Sequence, residues 1–287
     1  MRRVVFLLLV LILEYYKKNL DKAAQLAGIP GLKKIIVQRM ELPCEFKKGE
    51  DFDYYEELSS AQSVEAVPVD ATDFLYILYT SGTTGSPKGV VRDNGGNAVA
   101  VSYTMKHLMG FNKGDTYFAS SDIGWVVGHC FIVYGPLLMG GRTVLYEGKP
   151  VGTPDAGQLW RIIDKYKVQG LYTSPTALRS LKREDPNGEW LKKFDLSTLK
   201  MCSVGGERMD IPAYHWLRKH LDPKVLINDN YWQTETGWMI SSNFLDLHHF
   251  PERGGSAGKP CPGMRITSFG EDGKEKEPGQ PGDRKSV

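Results

Sequence analysis

The sequence has few cysteines, little net charge, and neither an internal repeat nor a low-complexity tract. Its four cysteines are scattered over 287 residues without a Cys-x-x-Cys pair. This argues against a disulfide framework or a zinc site and favours reduced, buried thiols in an intracellular protein. The net charge of +2 offers no concentrated basic face, so we expect no nucleic-acid partner.

An apolar run at the N-terminus, residues 4–13, follows Arg2 and Arg3. It is too short to cross a bilayer, so we expect no stable membrane insertion. A charged start and an apolar centre imitate a signal peptide, but no small-x-small cleavage site follows. We therefore favour a buried strand, or a start codon placed inside a longer gene, and a targeting role stays open. The expected compartment is the mitochondrial matrix or the cytoplasm.

The apolar fraction of 41% and the charged fraction of 24% are typical of a globular protein. Apolar runs of strand length alternate with stretches of helical periodicity, and this alternation predicts an α/β fold with mostly parallel strands. The predicted strands are residues 33–38, 74–78, 116–119, 143–146, 168–172, 199–204 and 225–228. The predicted helices are residues 14–27, 94–109 and 124–139, one capped by Thr153 with Pro154 in its first turn, one from Pro175, and residues 211–221 capped by Asp210. Residues 41–62 are expected to be irregular, and the tail, residues 270–287, to be a hairpin cut short.

Residues 79–89 form a loop rich in glycine and hydroxyl side chains directly after an apolar strand. Backbone N–H groups beside glycines, hydroxyl donors and one lysine, Lys88, are the groups that wrap polyphosphate. Glycine spacing excludes a P-loop, and the residue after Lys88 is glycine rather than Ser or Thr. Phosphate would be held by the loop backbone with Thr80, Ser81, Thr83 and Thr84. The alternative is a flexible surface linker.

Three further clusters carry candidate site residues. Residues 229–237 follow a predicted strand, where open α/β sheets place their sites. There Glu235 would suit Mg²⁺ and Thr234 could donate to phosphate, unless the threonines only cap a helix. Residues 203–208 contain a Gly-Gly pair against which a flat ring could lie, or which makes a plain turn. Residues 122–129 form an apolar wall with one imidazole, His129, which taken alone is more often packed than catalytic.

Five motifs in this order resemble the adenylate-forming acyl-CoA synthetases, nearest the short-chain branch that activates acetate and propionate. They are Tyr-Thr-Ser-Gly-Thr-Thr-Gly-Ser-Pro-Lys-Gly at 79–89, Gly-Trp-Val-Val-Gly-His at 124–129, Tyr-Thr-Ser-Pro-Thr-Ala-Leu-Arg at 172–179, Gly-Glu-Arg at 206–208 and Tyr-Trp-Gln-Thr-Glu-Thr-Gly at 231–237. The resemblance covers about residues 20–282. It implies that ATP and a small carboxylate form an acyl-adenylate, which the thiol of coenzyme A then attacks.

The resemblance also implies a role for each matching residue. The β- and γ-phosphates would be bound by Thr80, Ser81, Gly82, Thr83, Thr84, Gly85 and Lys88. Thr234 would contact the α-phosphate and Glu235 would bind Mg²⁺. The adenine would be surrounded by Gly206, Glu207, Arg208, Asp229, Asn230, Tyr231 and Gln233. The acyl pocket would be lined by Trp125, Val126, Val127, Gly205 and Trp232, and Ser174 would lie along the coenzyme A channel.

The acyl pocket predicts a preference among short acids. Trp232 is expected to exclude long chains, and relatives specialised for acetate carry a valine where Gly205 stands. Since one methylene in an apolar pocket contributes about 1–3 kcal/mol of discrimination, we expect propionate to be preferred over acetate.

Some parts that the resemblance implies do not occur in this sequence. They are the ribose-binding aspartate, a phosphate-contacting arginine, the C-terminal lid with its catalytic lysine, and an upstream part with arginines for coenzyme A. We therefore expect residues 1–30 to lead into a partial adenylation domain, residues 31–287, truncated at its C-terminal end and inactive or very weak alone. Two alternatives remain: a non-catalytic nucleotide-binding remnant, and an amino-acid-adenylating module, against which the apolar pair Val126–Val127 argues.

Overall fold

A computed structural model describes residues 7–10, 16–29, 31–38, 40, 43–81, 85–149, 151–277, 279–280 and 282–286. The chain divides into two compact units, Met1–Pro68 and Val69–Val287. Within the described ranges, every helix is too short or too polar to span a bilayer.

The first unit contains a three-stranded parallel sheet and two helices. Its elements are β1 (Leu7–Val10), α1 (Tyr16–Ala27), β2 (Lys34–Val37), β3 (Asp51–Asp53) and α2 (Tyr54–Ser60). The prediction that residues 41–62 are irregular is wrong, because β3 and α2 lie inside that range. The signal for α2 is local: the Asp53 side chain accepts hydrogen bonds from the N–H groups of Tyr55 and Glu56, as an N-cap residue does.

A buried lysine organises the charges of this unit. Lys34 is only 1% exposed, and its ammonium lies 3.0 Å from Asp51 and 3.0 Å from Glu50. Lys17 lies 2.8 Å from the same Asp51 and 2.6 Å from Asp21. Burial opposes the charged form of each group, but the hydrogen bonds that the ammonium groups donate to the carboxylates outweigh it, so the pKa of Lys34 is raised and the pKa of Asp51 is lowered.

The second unit is built on a five-stranded sheet in which all strands are parallel, in the order β10–β9–β8–β6–β7. The strands are β6 (Thr116–Ala119), β7 (Arg142–Val144), β8 (Gly170–Thr173), β9 (Met201–Val204) and β10 (Leu226–Asp229). These positions confirm the predicted α/β fold and its parallel sheet.

Alternate side chains of the sheet enter two separate apolar cores. Phe118, Leu171 and Cys202 belong to one core, while Tyr117 and Tyr172, on neighbouring positions of the same strands, belong to the other. Strands buried on both faces in this way need helices on both sides. The first core packs against α6 (Gln158–Tyr166), α7 (Pro175–Glu184) and α8 (Ile211–His220). The second packs against α3 (Asn94–Tyr103), its π-helical continuation Thr104–Leu108, and a segment made of α4 (Val126–Gly128), a π-helix (His129–Tyr134) and α5 (Gly135–Leu138).

Smaller antiparallel sheets complete this unit. They are the hairpin β4 (Phe74–Thr80) and β5 (Lys88–Asp93), the sheet β11 (Tyr231–Trp232), β12 (Met239–Ser242) and β13 (Lys259–Pro260), and the pair β14 (Ile266–Phe269) and β15 (Asp283–Ser286). β15 pairs antiparallel with β14 along its whole length, so the tail forms a hairpin, as the sequence predicts.

The predicted start of one helix is also wrong. Thr153 precedes a cis peptide bond to Pro154, and α6 begins only at Gln158. The intervening turn is held by Asp155, whose carboxylate accepts from the N–H of Gly157 at 2.8 Å. A Pro after a Thr is an N-terminal helix signal, but the Asp-Ala-Gly sequence that follows it forms a turn instead.

We expect Lys34→Met to destabilise the first unit by about 1.5–3 kcal/mol, the range for a hydrogen bond to a charged group, because Asp51 keeps Lys17 but loses the buried ammonium of Lys34. Urea denaturation followed by circular dichroism measures this loss. Lys48→Met is the control: Lys48 is exposed, so its loss should change the free energy of unfolding by less than about 0.5 kcal/mol. An equal effect of both substitutions would contradict the role given to Lys34.

Candidate active site

A cavity of about 440 Å³ opens at the carboxyl edge of the five-stranded sheet. Parallel strands that share one direction bring their C-terminal ends to one edge, and the residues directly after β6, β8 and β9 line the cavity there. Its lining consists of Ser120, Ser121, Trp125, Val126, Val127, Tyr172, Thr173, Ser174, Gly205, Gly206, Trp232, Gln233 and Thr234. All five residues predicted for an acyl pocket are in this set.

One side of the cavity is apolar. Val126 is buried at the first position of α4, while Trp125 precedes it with two thirds of its surface exposed. Trp232 on β11 packs edge-to-face on Phe131, with ring centroids 5.3 Å apart. These apolar residues can bury a few methylene groups of a ligand. None of them carries a charge that could pair with a ligand's amino group.

The indole of Trp232 is held by a short chain of buried polar groups. Its Nε1–H donates to the hydroxyl of Tyr172 at 2.8 Å, and that hydroxyl donates to Oδ1 of Asn230 at 3.1 Å. Tyr172 is 2% exposed and Asn230 is 4% exposed. A hydrogen-bond chain of this kind in a buried site fixes each ring in one orientation.

The lack of a side chain at Gly205 makes this series of hydrogen bonds possible. A Cβ at residue 205 would overlap the Tyr172 hydroxyl and lie 2.6 Å from Oδ1 of Asn230. The space freed by the missing side chain is therefore filled by the tyrosine hydroxyl and does not enlarge the cavity directly. Any larger residue at 205 requires Tyr172 and Trp232 to move.

The opposite side of the cavity carries hydroxyl groups. Ser120 donates to Oγ1 of Thr173 at 2.9 Å, and the side chain of Ser174 caps α7 by accepting from the N–H of Ala177 at 3.1 Å. Ser174 thus lines the cavity, and its side-chain oxygen is already used in the helix cap. The polar and apolar sides together fit a ligand with a short apolar end and a hydrogen-bonding body.

The predicted phosphate loop connects the strands of the hairpin β4–β5. Thr80 ends β4 and pairs with Lys88, which begins β5. Ser81 and Gly85 are exposed, and Gly85 has a φ of 83°, a conformation that favours glycine. Gly82, Thr83 and Thr84 lie outside the described residues.

Thr234 and Glu235 occupy a tight turn after β11. The N–H groups of Thr236 and Gly237 both donate to the carbonyl of Gln233, and the Thr236 hydroxyl donates to the same carbonyl at 3.0 Å. Thr234 reaches the cavity, whereas Glu235 is exposed and does not line it. Among the described residues no group of three or more His, Cys, Asp or Glu side chains is arranged to hold a metal ion.

The residues predicted to surround an adenine are spread over several contacts. Glu207 forms an ion pair with Arg179 at 3.0 Å and also accepts from the N–H of Thr176, which ties it to the start of α7. Arg208 donates to the carbonyl of Gly255 at 3.3 Å. Tyr231 accepts from the side-chain amide of Gln233 at 2.8 Å. Of this predicted group, only Gly206 and Gln233 line the cavity among the described residues.

Asp229, at the carboxyl edge of the sheet, has a raised pKa. It is 9% exposed at the end of β10, and burial raises its pKa to about 6, against the smaller opposing effect of hydrogen bonds from the N–H groups of Met209 and Asn230 and of the Arg208 charge. Perturbed acids of this kind concentrate at functional sites, although structural burial produces them too.

His129 lies outside the cavity lining. Its Nδ1 is 2.9 Å from the carbonyl of Trp125, and its ring packs 4.8 Å from the ring of Tyr76. These contacts assign His129 to packing, in agreement with the more frequent role of a lone histidine.

The sequence matches the AMP-binding enzyme family over residues 4–283. The chain belongs to this family. It is 48% identical over 219 residues to the mitochondrial acyl-CoA synthetase short-chain family member 3 of Mus musculus, covering 76% of this chain and 32% of that protein. It is 42% identical over 259 residues to the propionate–CoA ligase of Escherichia coli K12, covering 89% of this chain and 40% of that protein.

An uncharacterized protein of Pseudomonas aeruginosa is 44% identical over 259 residues, covering 90% of this chain and 41% of that protein. The chain thus spans about a third to two fifths of the length of the relatives it matches. These similarities confirm the resemblance to adenylate-forming enzymes of the short-chain acyl-CoA synthetase branch.

Four cavity residues received no role from the sequence: Ser120 and Ser121, which lie in no motif, and Tyr172 and Thr173, which open the motif at 172–179. Ser120 and Ser121 directly follow β6, and Tyr172 and Thr173 end β8. The signal for Ser120 and Ser121 is position alone, because they directly follow a predicted strand. The residue types give no further indication of a site, since Ser and Thr are common at strand ends.

We expect Asp229→Asn to stabilise the chain at pH 7 but not at pH 4.5. A folded-state pKa near 6, above the unfolded value of about 3.9, means that the ionised carboxylate opposes folding increasingly as pH rises through this window. Thermal denaturation of both proteins from pH 4.5 to 7.5 measures the difference in Tm. A difference that is independent of pH would contradict the raised pKa. Asp222→Asn, at an exposed position, is the control and should show no such trend.

Proposed function

We propose that the protein of which this chain is part is an ATP-dependent short-chain acyl-CoA ligase. It converts a carboxylate, ATP and coenzyme A to acyl-CoA, AMP and pyrophosphate through an acyl-adenylate. The observation that carries this proposal is the cavity at the carboxyl edge of the sheet, which Thr234 lines together with Trp232 and the other apolar residues. The names of two relatives, an acyl-CoA synthetase short-chain family member and a propionate–CoA ligase, support it.

The first step brings a carboxylate to an α-phosphate that already carries negative charge. N–H groups, hydroxyls and a cation must offset this repulsion in the transition state. Thr234 is proposed to donate to the α-phosphate at the mouth of the cavity. Lys88 and the loop of Thr80, Ser81, Gly82, Thr83, Thr84 and Gly85 are proposed to hold the β- and γ-phosphates, with Thr234, Glu235 and Lys88 as the catalytic set.

The remaining cavity residues are proposed to orient the other ligands. Trp125, Val126, Val127, Gly205 and Trp232 would hold the acyl group, and Ser174 would lie along the path of coenzyme A. The adenine would lie among Gly206, Glu207, Arg208, Asp229, Asn230, Tyr231 and Gln233. Gly206 has no side chain, and the position that its Cβ would take has no other atom within 4 Å, so a flat ring can approach the backbone there.

Mg²⁺ fits this arrangement as a metal held mainly by the substrate. Such ions are bound through one or two carboxylates together with phosphate oxygens, and Glu235 offers one exposed carboxylate beside Thr234. When bound, the ion neutralises charge on the phosphates. Glu235 would contribute one carboxylate oxygen ligand to the ion.

Further features of the whole protein follow as proposals. The substrates are small carboxylates, and the compartment is the mitochondrial matrix or the cytoplasm. We retain residues 1–30 as a leading segment and residues 31–287 as a partial adenylation domain. A non-catalytic nucleotide-binding protein is the alternative, because Glu235 and Lys88 are both exposed and the turn and the loop can bind ATP without reaction.

The test compares the 287-residue chain with a protein extended by the flanking coding sequence. Both are expected to bind Mg·ATP in isothermal titration calorimetry. Only the extended protein is expected to exchange pyrophosphate into ATP in a propionate-dependent way, and to form AMP and propionyl-CoA with coenzyme A. ATP binding without any carboxylate-dependent exchange in the extended protein would establish the non-catalytic alternative instead.

The preference among carboxylate substrates depends on the position of the Trp232 indole in the cavity. In the extended protein we expect kcat/KM for propionate to exceed that for acetate by about tenfold or more, the effect of one buried methylene. A strong preference for acetate would refute this.

We further expect Tyr172→Phe to raise the ratio of kcat/KM for butyrate over propionate by about fivefold, because losing one hydrogen bond of about 1 kcal/mol frees the indole to move. Tyr117→Phe is the matched control. Its hydroxyl is also buried but is 3.1 Å from the sulfur of Met109, away from the cavity, so the ratio should not change.

A further inference from the structure

Arg92 connects two elements that the sequence separates widely. It lies on β5, four residues after Lys88, and pairs with Tyr76 across the hairpin that carries the phosphate loop. Its Nη2 donates to the backbone carbonyl of Thr234, in the turn that carries Thr234 and Glu235. No motif singled out in the sequence includes this arginine.

The turn is shaped to receive the guanidinium. Gly237 has a φ of 74°, and a Cβ there would lie 2.5 Å from Nε and 2.7 Å from Nη2 of Arg92. The guanidinium therefore packs flat over the glycine, in space that any side chain would take. A planar group fixed on one side by packing and on another by a hydrogen bond has little freedom left.

The turn does not need Arg92 for its own shape. The hydroxyl of Thr236 closes it internally, and the thiol of Cys130 donates to the carbonyl of Gly237 at 3.2 Å. These bonds tie the turn to itself and to the π-helical segment His129–Tyr134. The hydrogen bond from Arg92 ties it to the hairpin.

Among the described residues, no carboxylate lies within 4 Å of the Arg92 guanidinium. Its charge is therefore directed to a backbone carbonyl, and hydrogen bonds from a charged donor are stronger than those from neutral donors. This makes the link stiffer than an ordinary contact between a turn and a hairpin.

We propose that Arg92 is a positioning residue that sets the separation between the base of the phosphate loop, Thr80 and Lys88, and the Thr234–Glu235 turn. The inference rests on the proposed function, in which the loop holds the β- and γ-phosphates and the turn holds the α-phosphate. A triphosphate has a fixed length, so a ligand that touches both elements gains affinity only when their separation matches it. A ligand that contacts only the loop or only the turn gains no affinity from the Arg92 contact.

The test measures three ligands on the 287-residue chain by isothermal titration calorimetry. ATP spans both elements, AMP reaches only the turn, and pyrophosphate reaches only the loop. We expect Arg92→Gln to weaken ATP about tenfold, the lower end of what a charge-assisted hydrogen bond contributes. The affinities for AMP and pyrophosphate should each change by less than about twofold, because neither ligand depends on the link.

Arg142→Gln is the matched control. Arg142 also lies on a strand of the second unit and donates its Nη2 to a backbone carbonyl, that of Gly114, at 2.9 Å. It does not line the cavity, so its loss should leave all three affinities unchanged. Arg92→Lys keeps the charge and one donor, and should show the same pattern as Arg92→Gln with a smaller loss.

The pattern of affinities decides the inference. Equal weakening of all three ligands by both Arg92 variants would show a general structural role and overturn it, as would no weakening of ATP by either variant. Failure of the wild-type chain to bind ATP at all would instead refute the proposed nucleotide site, so the two failures are distinguishable.

Discussion

The structure of the second unit depends on the common direction of four neighbouring strands, β6, β8, β9 and β10. Their backbone pairing is in register, with Leu171 beside both Phe118 and Cys202. Because the strands run the same way, the segments that leave them emerge at one edge, although they are far apart in the sequence. A serine pair, a capping serine, a glycine pair and an asparagine thereby become neighbours. The cavity is a consequence of strand direction, and the side chains there only decide what it binds.

Much of this could be predicted from the sequence, because its signals are local. Asp210 caps a helix as predicted, the helix expected from Pro175 is present, and the apolar runs of the central strands predict β6, β8, β9 and β10. The five residues expected in an acyl pocket do line one cavity. Local rules were wrong where two signals compete, as at Thr153, where a turn held by Asp155 displaces the helix start.

Other features depend on contacts between distant residues, which no pattern within one segment announces. Tyr172 is 60 residues from Trp232, yet its hydroxyl holds the indole. Arg92 is 142 residues from the carbonyl it binds. β5 was also missed, because the sequence after the glycine loop shows no strand alternation and is extended only by pairing with β4. In each case the partner, and not the residue's own neighbourhood, determines the conformation.

The burial of three cysteine thiols has a consequence for their chemical reactivity. Cys130, Cys202 and Cys261 are all buried in the second unit, and burial raises the pKa of each to about 12. The reactive thiolate form is therefore almost absent at neutral pH, and the sulfur of Cys130 is further engaged with the turn beside Thr234. Cys44, in the first unit, is the half-buried exception. Modification of the other three thiols thus requires the second unit to open, so their rate of alkylation reports conformational opening of the folded chain.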